Sequence, residues 1–169
     1  MEFLIWLENT SFSTAIRESE SLWGYGGLLI LHGMGMAIAV GISSMIGLRL
    51  LGFAPGVPVE PFRKFFPFIW AGFWVNALSG GAIMMSQATV MFTNWMMYIK
   101  LASIILAVII VRLIYIQVFR NSRSKRPGLI HTKVLAGALL FLWAVAITAG
   151  RLTAYLGALI DPSDLALIR

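Results

Sequence analysis

Four long apolar runs, separated by short polar stretches, dominate the sequence. They occupy residues 22–51, 65–92, 95–119 and 129–160. Each is longer than the roughly 20 residues that cross the hydrocarbon core of a bilayer as an α-helix. The pattern therefore predicts an all-α fold, an integral membrane four-helix bundle that forms a single domain over residues 21–160.

The stretches outside these runs have the composition of loops and surface segments. The three connections are a loop rich in proline and glycine, a tight turn and a basic loop, at 52–62, 93–96 and 120–128. A short tail follows at 161–169, after the stop signal of Asp161 and Pro162. Residues 1–20 have too few apolar positions to span and alternate them with acids, which predicts an amphipathic segment at the membrane interface.

Composition and charge support a membrane protein. The chain has 169 residues, of which 59% are hydrophobic and only 12% charged. The net charge of +6 comes from basic residues in the loops, so membrane topology explains it and no nucleic acid is expected as a partner. Because cysteine is absent, disulfides, iron–sulfur clusters and thiolate zinc sites are excluded. The start of the chain does not have the pattern of a removable signal peptide.

The distribution of lysine and arginine predicts the orientation, because these residues concentrate in short cytoplasmic loops. They flank the first and third loops, as Arg49, Arg63, Lys64, Arg120, Arg123, Lys125, Arg126 and Lys133. The second loop carries no charge, and the N-terminal segment and the tail are rich in acids. We expect a multi-pass protein of the bacterial inner membrane, with both termini on the periplasmic side.

Each predicted helix has one face of small or polar residues. At 100° per residue, these faces contain Tyr25, His32, Gly35, Met36, Ala39 and Ser43; Gly72, Asn76, Ser79, Gly80 and Gln87; Lys100, Ser103 and Ala107; and Gly137, Ala144, Thr148, Arg151, Tyr155 and Ala158. Small residues let membrane helices approach closely, and polar groups bond across them. These faces are therefore predicted to form the interior of the bundle.

His32 is the first functional candidate. It lies about ten residues into the first run, some 15 Å deep at the helical rise, where an ionisable ring needs a partner. It could be a hydrogen-bonded core histidine, an axial ligand of haem iron or a proton-relay group. Gly35 on its face would allow a flat macrocycle to approach, and Met36 could be a sixth ligand. His131, at the cytoplasmic start of the fourth helix, is too distant to ligate the same iron.

Lys100, Arg151 and Tyr155 are predicted at the same outer depth as His32. No acidic residue lies within the four runs to neutralise the two cations, so the carboxylates of a cofactor or substrate are natural partners. The alternative is that Lys100 and Arg151 extend to lipid phosphates. For Lys100 the two interpretations have equal weight, whereas the deeper Arg151 favours a role in a site.

Methionines supply a competing hypothesis. Thioethers are soft ligands suited to Cu(I). Five methionines lie on the outer side of the predicted bundle, with two more placed deeper: Met84, Met85, Met91, Met96 and Met97, then Met34 and Met36. Methionine is also an adaptable packing residue. Because no regular methionine repeat follows one helix face, packing is the preferred interpretation.

Several short motifs carry a resemblance to known proteins. Leu31, His32, the sequence GLRLLG around Arg49, and AGRLTAYLG at the end of the fourth run resemble a set of small bacterial four-helix membrane proteins of unknown function. More distantly, His32 together with NWMMYIK resembles the HemJ-type protoporphyrinogen oxidases and the membrane domain of copper-resistance protein D. The resemblance implies haem b, with His32 and Lys100 as the functional positions.

The leading hypothesis is a haem b protein for electron transfer with quinone or for porphyrin chemistry. In it His32 is the axial ligand, while Lys100 and Arg151 hold propionates and Tyr155 completes the pocket. One alternative is a transporter for copper or a small anion. Another is a non-catalytic subunit of a larger membrane complex or homo-oligomer. Whether the protein is an enzyme is left open by the sequence.

Overall fold

The computed structural model describes residues 1–19, 21, 24–120 and 129–159, and these form helices joined by turns, with no strand. Seven α-helices are present there: α1 Glu2–Glu8, α2 Ser11–Glu18, α3 Tyr25–Leu51, α4 Phe66–Ser86, α5 Ala88–Thr93, α6 Trp95–Ile114 and α7 Leu129–Leu159. A 3-10 helix, Glu60–Phe65, precedes α4, and a π-helical segment, Tyr115–Arg120, continues α6.

Four segments within the described residues are long and apolar enough to cross a membrane. They are Tyr25–Leu51, Glu60–Ser86, Trp95–Arg120 and Ile130–Thr153. The predicted all-α fold with four long apolar helices is therefore confirmed, and four such helices suggest a multi-pass membrane protein. The described residues leave out Arg123, Lys125 and Arg126 of the third loop, the start of the first run at residues 22–23 and the stop signal at 161–162.

The second apolar run is not one continuous helix to residue 92. It is interrupted at Gln87, whose φ of −137° and ψ of 43° separate α4 from α5. An interruption frees backbone groups that must find other partners. The hydroxyl of Ser13 lies 2.8 Å from the Leu7 carbonyl oxygen and 3.3 Å from that of Met85, so its single proton is shared between them. Arg17 Nη1 donates to the Ser86 carbonyl at 3.3 Å.

The N-terminal segment is thereby fixed to the end of α4. Predicted as one amphipathic stretch, it consists of two short helices, with Thr10 capping the second through the Ser13 backbone N–H. The Glu8 carboxylate accepts hydrogen bonds from the Thr89 backbone N–H at 3.0 Å and from the Thr89 hydroxyl at 2.7 Å. Phe3 and Trp6 of α1 are exposed, as an interfacial helix requires. We call this end of the bundle the N-terminal side.

The bundle packs in the order α4, α3, α7, α6. Helix α3 lies along both α4 and α7, and α6 lies along α7, whereas α4 and α6 approach each other much less closely. The hydrophobic core is concentrated away from the N-terminal side, and its members include Ile46, Phe66, Val111, Ile114, Leu139 and Trp143. There Phe66 closes the gap between α4 and the π-helical segment by contacting Tyr115 and Phe119.

Candidate functional site: a cavity beside His32

His32 and Asn76 form a reciprocal pair between α3 and α4. His32 Nδ1 lies 3.0 Å from the Asn76 carbonyl oxygen, and Asn76 Nδ2 donates to the His32 carbonyl at 2.8 Å. A carbonyl oxygen can only accept, so Nδ1 carries the proton and donates it there. In the neutral ring, Nε2 is then the acceptor, and it lies 3.5 Å from Asn76 Nδ2.

Glycine at position 80 leaves the space that the imidazole occupies. A Cβ atom placed on Gly80 would lie 2.8 Å from His32 Cε1 and 3.0 Å from Nδ1, which is closer than real side chains approach. The neighbouring Gly81 has nothing within 4 Å of its Cβ position. The ring is therefore seated against one particular glycine of α4.

All four long helices contribute to a cavity next to His32. Its lining includes Met36 from α3, Phe73 and Asn76 from α4, Lys100 and Ile104 from α6, and Trp143 and Ala146 from α7. The space open to water-sized spheres measures about 20 Å³, which is room for about one water molecule. The walls are apolar except at His32, Asn76, Lys100 and the indole nitrogen of Trp143.

Lys100 is a half-buried cation facing this cavity. Its stem packs against α7 at Gly150, whose Cβ position lies 3.5 Å from Lys100 Cδ and Cε and 3.6 Å from Nζ. Within the described part of the chain, no hydrogen bond or ion pair engages its ammonium group. An ammonium group inside a bundle without an anion is costly, so Lys100 is the group of this cavity that most requires a ligand.

Trp143 is a cavity residue that the sequence analysis missed. Its side chain is 6% exposed, and its Nε1–H is buried with no hydrogen-bond partner among the described residues. Buried indole N–H groups normally find an acceptor. Trp143 therefore brings an unsatisfied donor to the cavity wall. The sequence signal that could have identified Trp143 is a large aromatic residue two helical turns before Gly150.

The prediction of which face of the fourth helix lies inside the bundle is wrong. Ala144, Thr148, Arg151 and Tyr155 are exposed, whereas α7 buries a different face with Ala136, Leu139, Trp143, Ala146, Ala149 and Thr153. In a membrane helix that is apolar on every side, small and polar residues do not by themselves mark the interior. Here the bulk of Leu139 and Trp143 fills the bundle, and the alanines allow close contact.

The structure therefore brings together only part of the predicted pocket. His32, Lys100 and Met36 line one cavity, but Arg151 and Tyr155 do not line it, and Tyr155 is 67% exposed. Gly35 also has a role other than the expected one. Its Cβ position lies 2.6 Å from the Asn76 backbone nitrogen and 2.7 Å from the Gly72 carbonyl oxygen, so it allows α3 to contact α4 and leaves no slot for a macrocycle on that side.

Three methionines of the copper hypothesis lie in different surroundings. Met36 lines the cavity, Met97 is buried, and Met34 is exposed. The described residues contain no group of three or more histidine, cysteine, aspartate or glutamate side chains that could hold a metal ion.

Comparison with known proteins adds no relative: no protein-family model, curated protein or solved structure matches this chain.

Proposed function

We propose that the protein binds haem b, with His32 as the axial ligand and Lys100 as the partner of a propionate. The observation that carries this proposal is the hydrogen bond from His32 Nδ1–H to the Asn76 carbonyl. Histidines that ligate a metal through one ring nitrogen usually donate the other to a carbonyl or carboxylate, which orients the ring and raises its basicity.

The remaining donors of the cavity suit the same ligand. A propionate would neutralise the Lys100 ammonium, which has no anionic partner among the described residues. Trp143 lines the same space, and its N–H requires an acceptor. The donors present therefore suit the axial and propionate positions of the group, although Arg151 and Tyr155 do not take part and the cavity as it stands is too small for a macrocycle.

The cavity beside His32 is smaller than the haem that its donors would bind. About 20 Å³ admits a water molecule and not a macrocycle, so binding requires the bundle to widen. The side between α4 and α6 is where this costs least, because these neighbours pack least closely. When bound, haem supplies one-electron transfer, while the chain holds the ligand nitrogen in one tautomer and places a cation near the propionate.

Lys100 is expected to contribute substantially to haem retention. Replacing it with methionine keeps the stem and removes the charge, so a charge-assisted hydrogen bond is lost and haem affinity should fall about tenfold. The measurement is a haem titration of purified protein followed by the Soret band. Arg112→Gln is the control, because Arg112 is an exposed cation on the same helix. Equal affinity in both variants would remove Lys100 from the site.

Gly80 provides a test that changes neither a ligand nor a charge. Alanine at this position would push the His32 ring, and such overpacking costs about 1–3 kcal/mol. Haem affinity in Gly80→Ala should therefore fall about tenfold, whereas Gly81→Ala, with open space around its Cβ, should bind like the wild type. Identical haem titrations of the two variants would contradict the seating of His32 described above.

A small-anion site, and with it anion transport, is the second candidate. The size of the cavity favours it, since a space suited to one water molecule beside the Lys100 ammonium also suits a small anion. Uptake of a labelled anion into proteoliposomes separates the two functions, because a haem protein need not move solute.

A further inference from the structure

Three polar residues of α7 form a row on the surface of the bundle. Thr148, Arg151 and Tyr155 follow one another at intervals of three and four residues, so they share a helix face, and all three are exposed. Arg151 lies two residues before the end of the apolar segment at Thr153. The row is therefore close to the level at which the membrane core ends on the N-terminal side.

An apolar groove begins beside this row and runs along α6 and α7 toward the membrane centre. It has a volume of about 280 Å³, and its lining includes Met96 and Ile99 of α6 with Ala144, Val145 and Leu152 of α7. Thr148 belongs to both the groove and the polar row. The polar row, which carries the cation Arg151, and the apolar groove are thus continuous on one surface.

We propose that this surface binds an anionic phospholipid, with its phosphate on Arg151 and Tyr155 and one acyl chain in the groove. A charged side chain on the membrane-facing surface is costly unless an opposite charge meets it. Guanidinium groups bind phosphate through paired hydrogen bonds, and tyrosine suits the interface because its ring is apolar and its hydroxyl is polar.

Charge also argues against a second copy of the chain on this surface. Neither α6 nor α7 contains an aspartate or glutamate, so a symmetric contact through this face would bring two Arg151 side chains together without an acid from either helix. A lipid phosphate supplies the missing negative charge, and its acyl chain supplies the apolar surface that fits the groove.

The test is native mass spectrometry of the purified full chain, titrated with dioleoylphosphatidylglycerol or dioleoylphosphatidylcholine. The wild type should retain the anionic lipid preferentially. One arginine near a membrane surface contributes about 1 kcal/mol, so Arg151→Gln should reduce retention of phosphatidylglycerol about fivefold and abolish the preference. Arg112→Gln is the matched control and should behave like the wild type.

A second pair of variants tests the groove. Ala144→Phe fills it and should weaken retention of the anionic lipid, whereas Ala77→Phe, at an exposed alanine of α4, should not. Soluble glycerol phosphate should bind far more weakly than the lipid. The proposal is overturned if Arg151→Gln or Ala144→Phe retains the lipid like its control, or if glycerol phosphate competes as well as the lipid. None of these outcomes depends on whether haem binds to the cavity.

Discussion

Substituting alanine for Gly35 should destabilise the bundle more than any other single methyl group added to α3. The added Cβ would lie 2.6 Å from the Asn76 backbone nitrogen and 2.7 Å from the Gly72 carbonyl oxygen. Both are backbone atoms, so they cannot turn away as a side chain could. We expect a loss of about 3 kcal/mol in the free energy of unfolding, at the upper end of the range for overpacking.

Gly33→Ala is the matched control for this prediction. Gly33 lies in the same helix with nothing within 4 Å of its Cβ position, so alanine there should be neutral or stabilising by up to about 1 kcal/mol through helix propensity. Unfolding of both variants in a mixed detergent series, followed by circular dichroism, measures the difference. If Gly35→Ala is as stable as Gly33→Ala, the close contact between α3 and α4 is not present in the folded protein.

The four long apolar helices could be predicted because their length and composition follow from elementary membrane physics. Apolar runs of sufficient length form helices. The proline-rich stretch after Gly52 ends α3, and Gly52 itself adopts a left-handed conformation with a φ of +113°. The break at Gln87 could not be predicted in this way. It depends on Ser13, Arg17 and Glu8, which are distant in sequence and reach the backbone of α4 and α5 only in the folded chain.

The sequence predicted the site residues that lie well inside the bundle, and it was wrong about the residue that has an exposed position open to it. His32 and Lys100 both line the cavity, and the sequence predicted both as candidates. Arg151 instead lies near the end of the apolar segment, where an exposed position is available to it. Trp143 was not singled out because its hydrogen-bonding requirement becomes visible only when burial leaves its N–H without an acceptor.

Replacing His32 with alanine should remove the haem altogether. The change deletes the proposed iron ligand and the donor to the Asn76 carbonyl, while Asn76 Nδ2 can still bind the backbone of residue 32. The helix pair should therefore remain folded, which size-exclusion chromatography of the variant would verify. The space vacated by the ring should also admit free imidazole, which can replace the missing ligand.

The most direct test of the proposed haem site is the absorption spectrum of three proteins produced with added haem: the wild type, His32→Ala and His131→Ala. His131 is exposed near the start of α7, at the other end of the bundle from the cavity. We predict a Soret band in the wild type and in His131→Ala, and none in His32→Ala until imidazole is added. A wild type without a Soret band, or a His32→Ala protein whose Soret band equals that of the wild type, would contradict the proposed haem site.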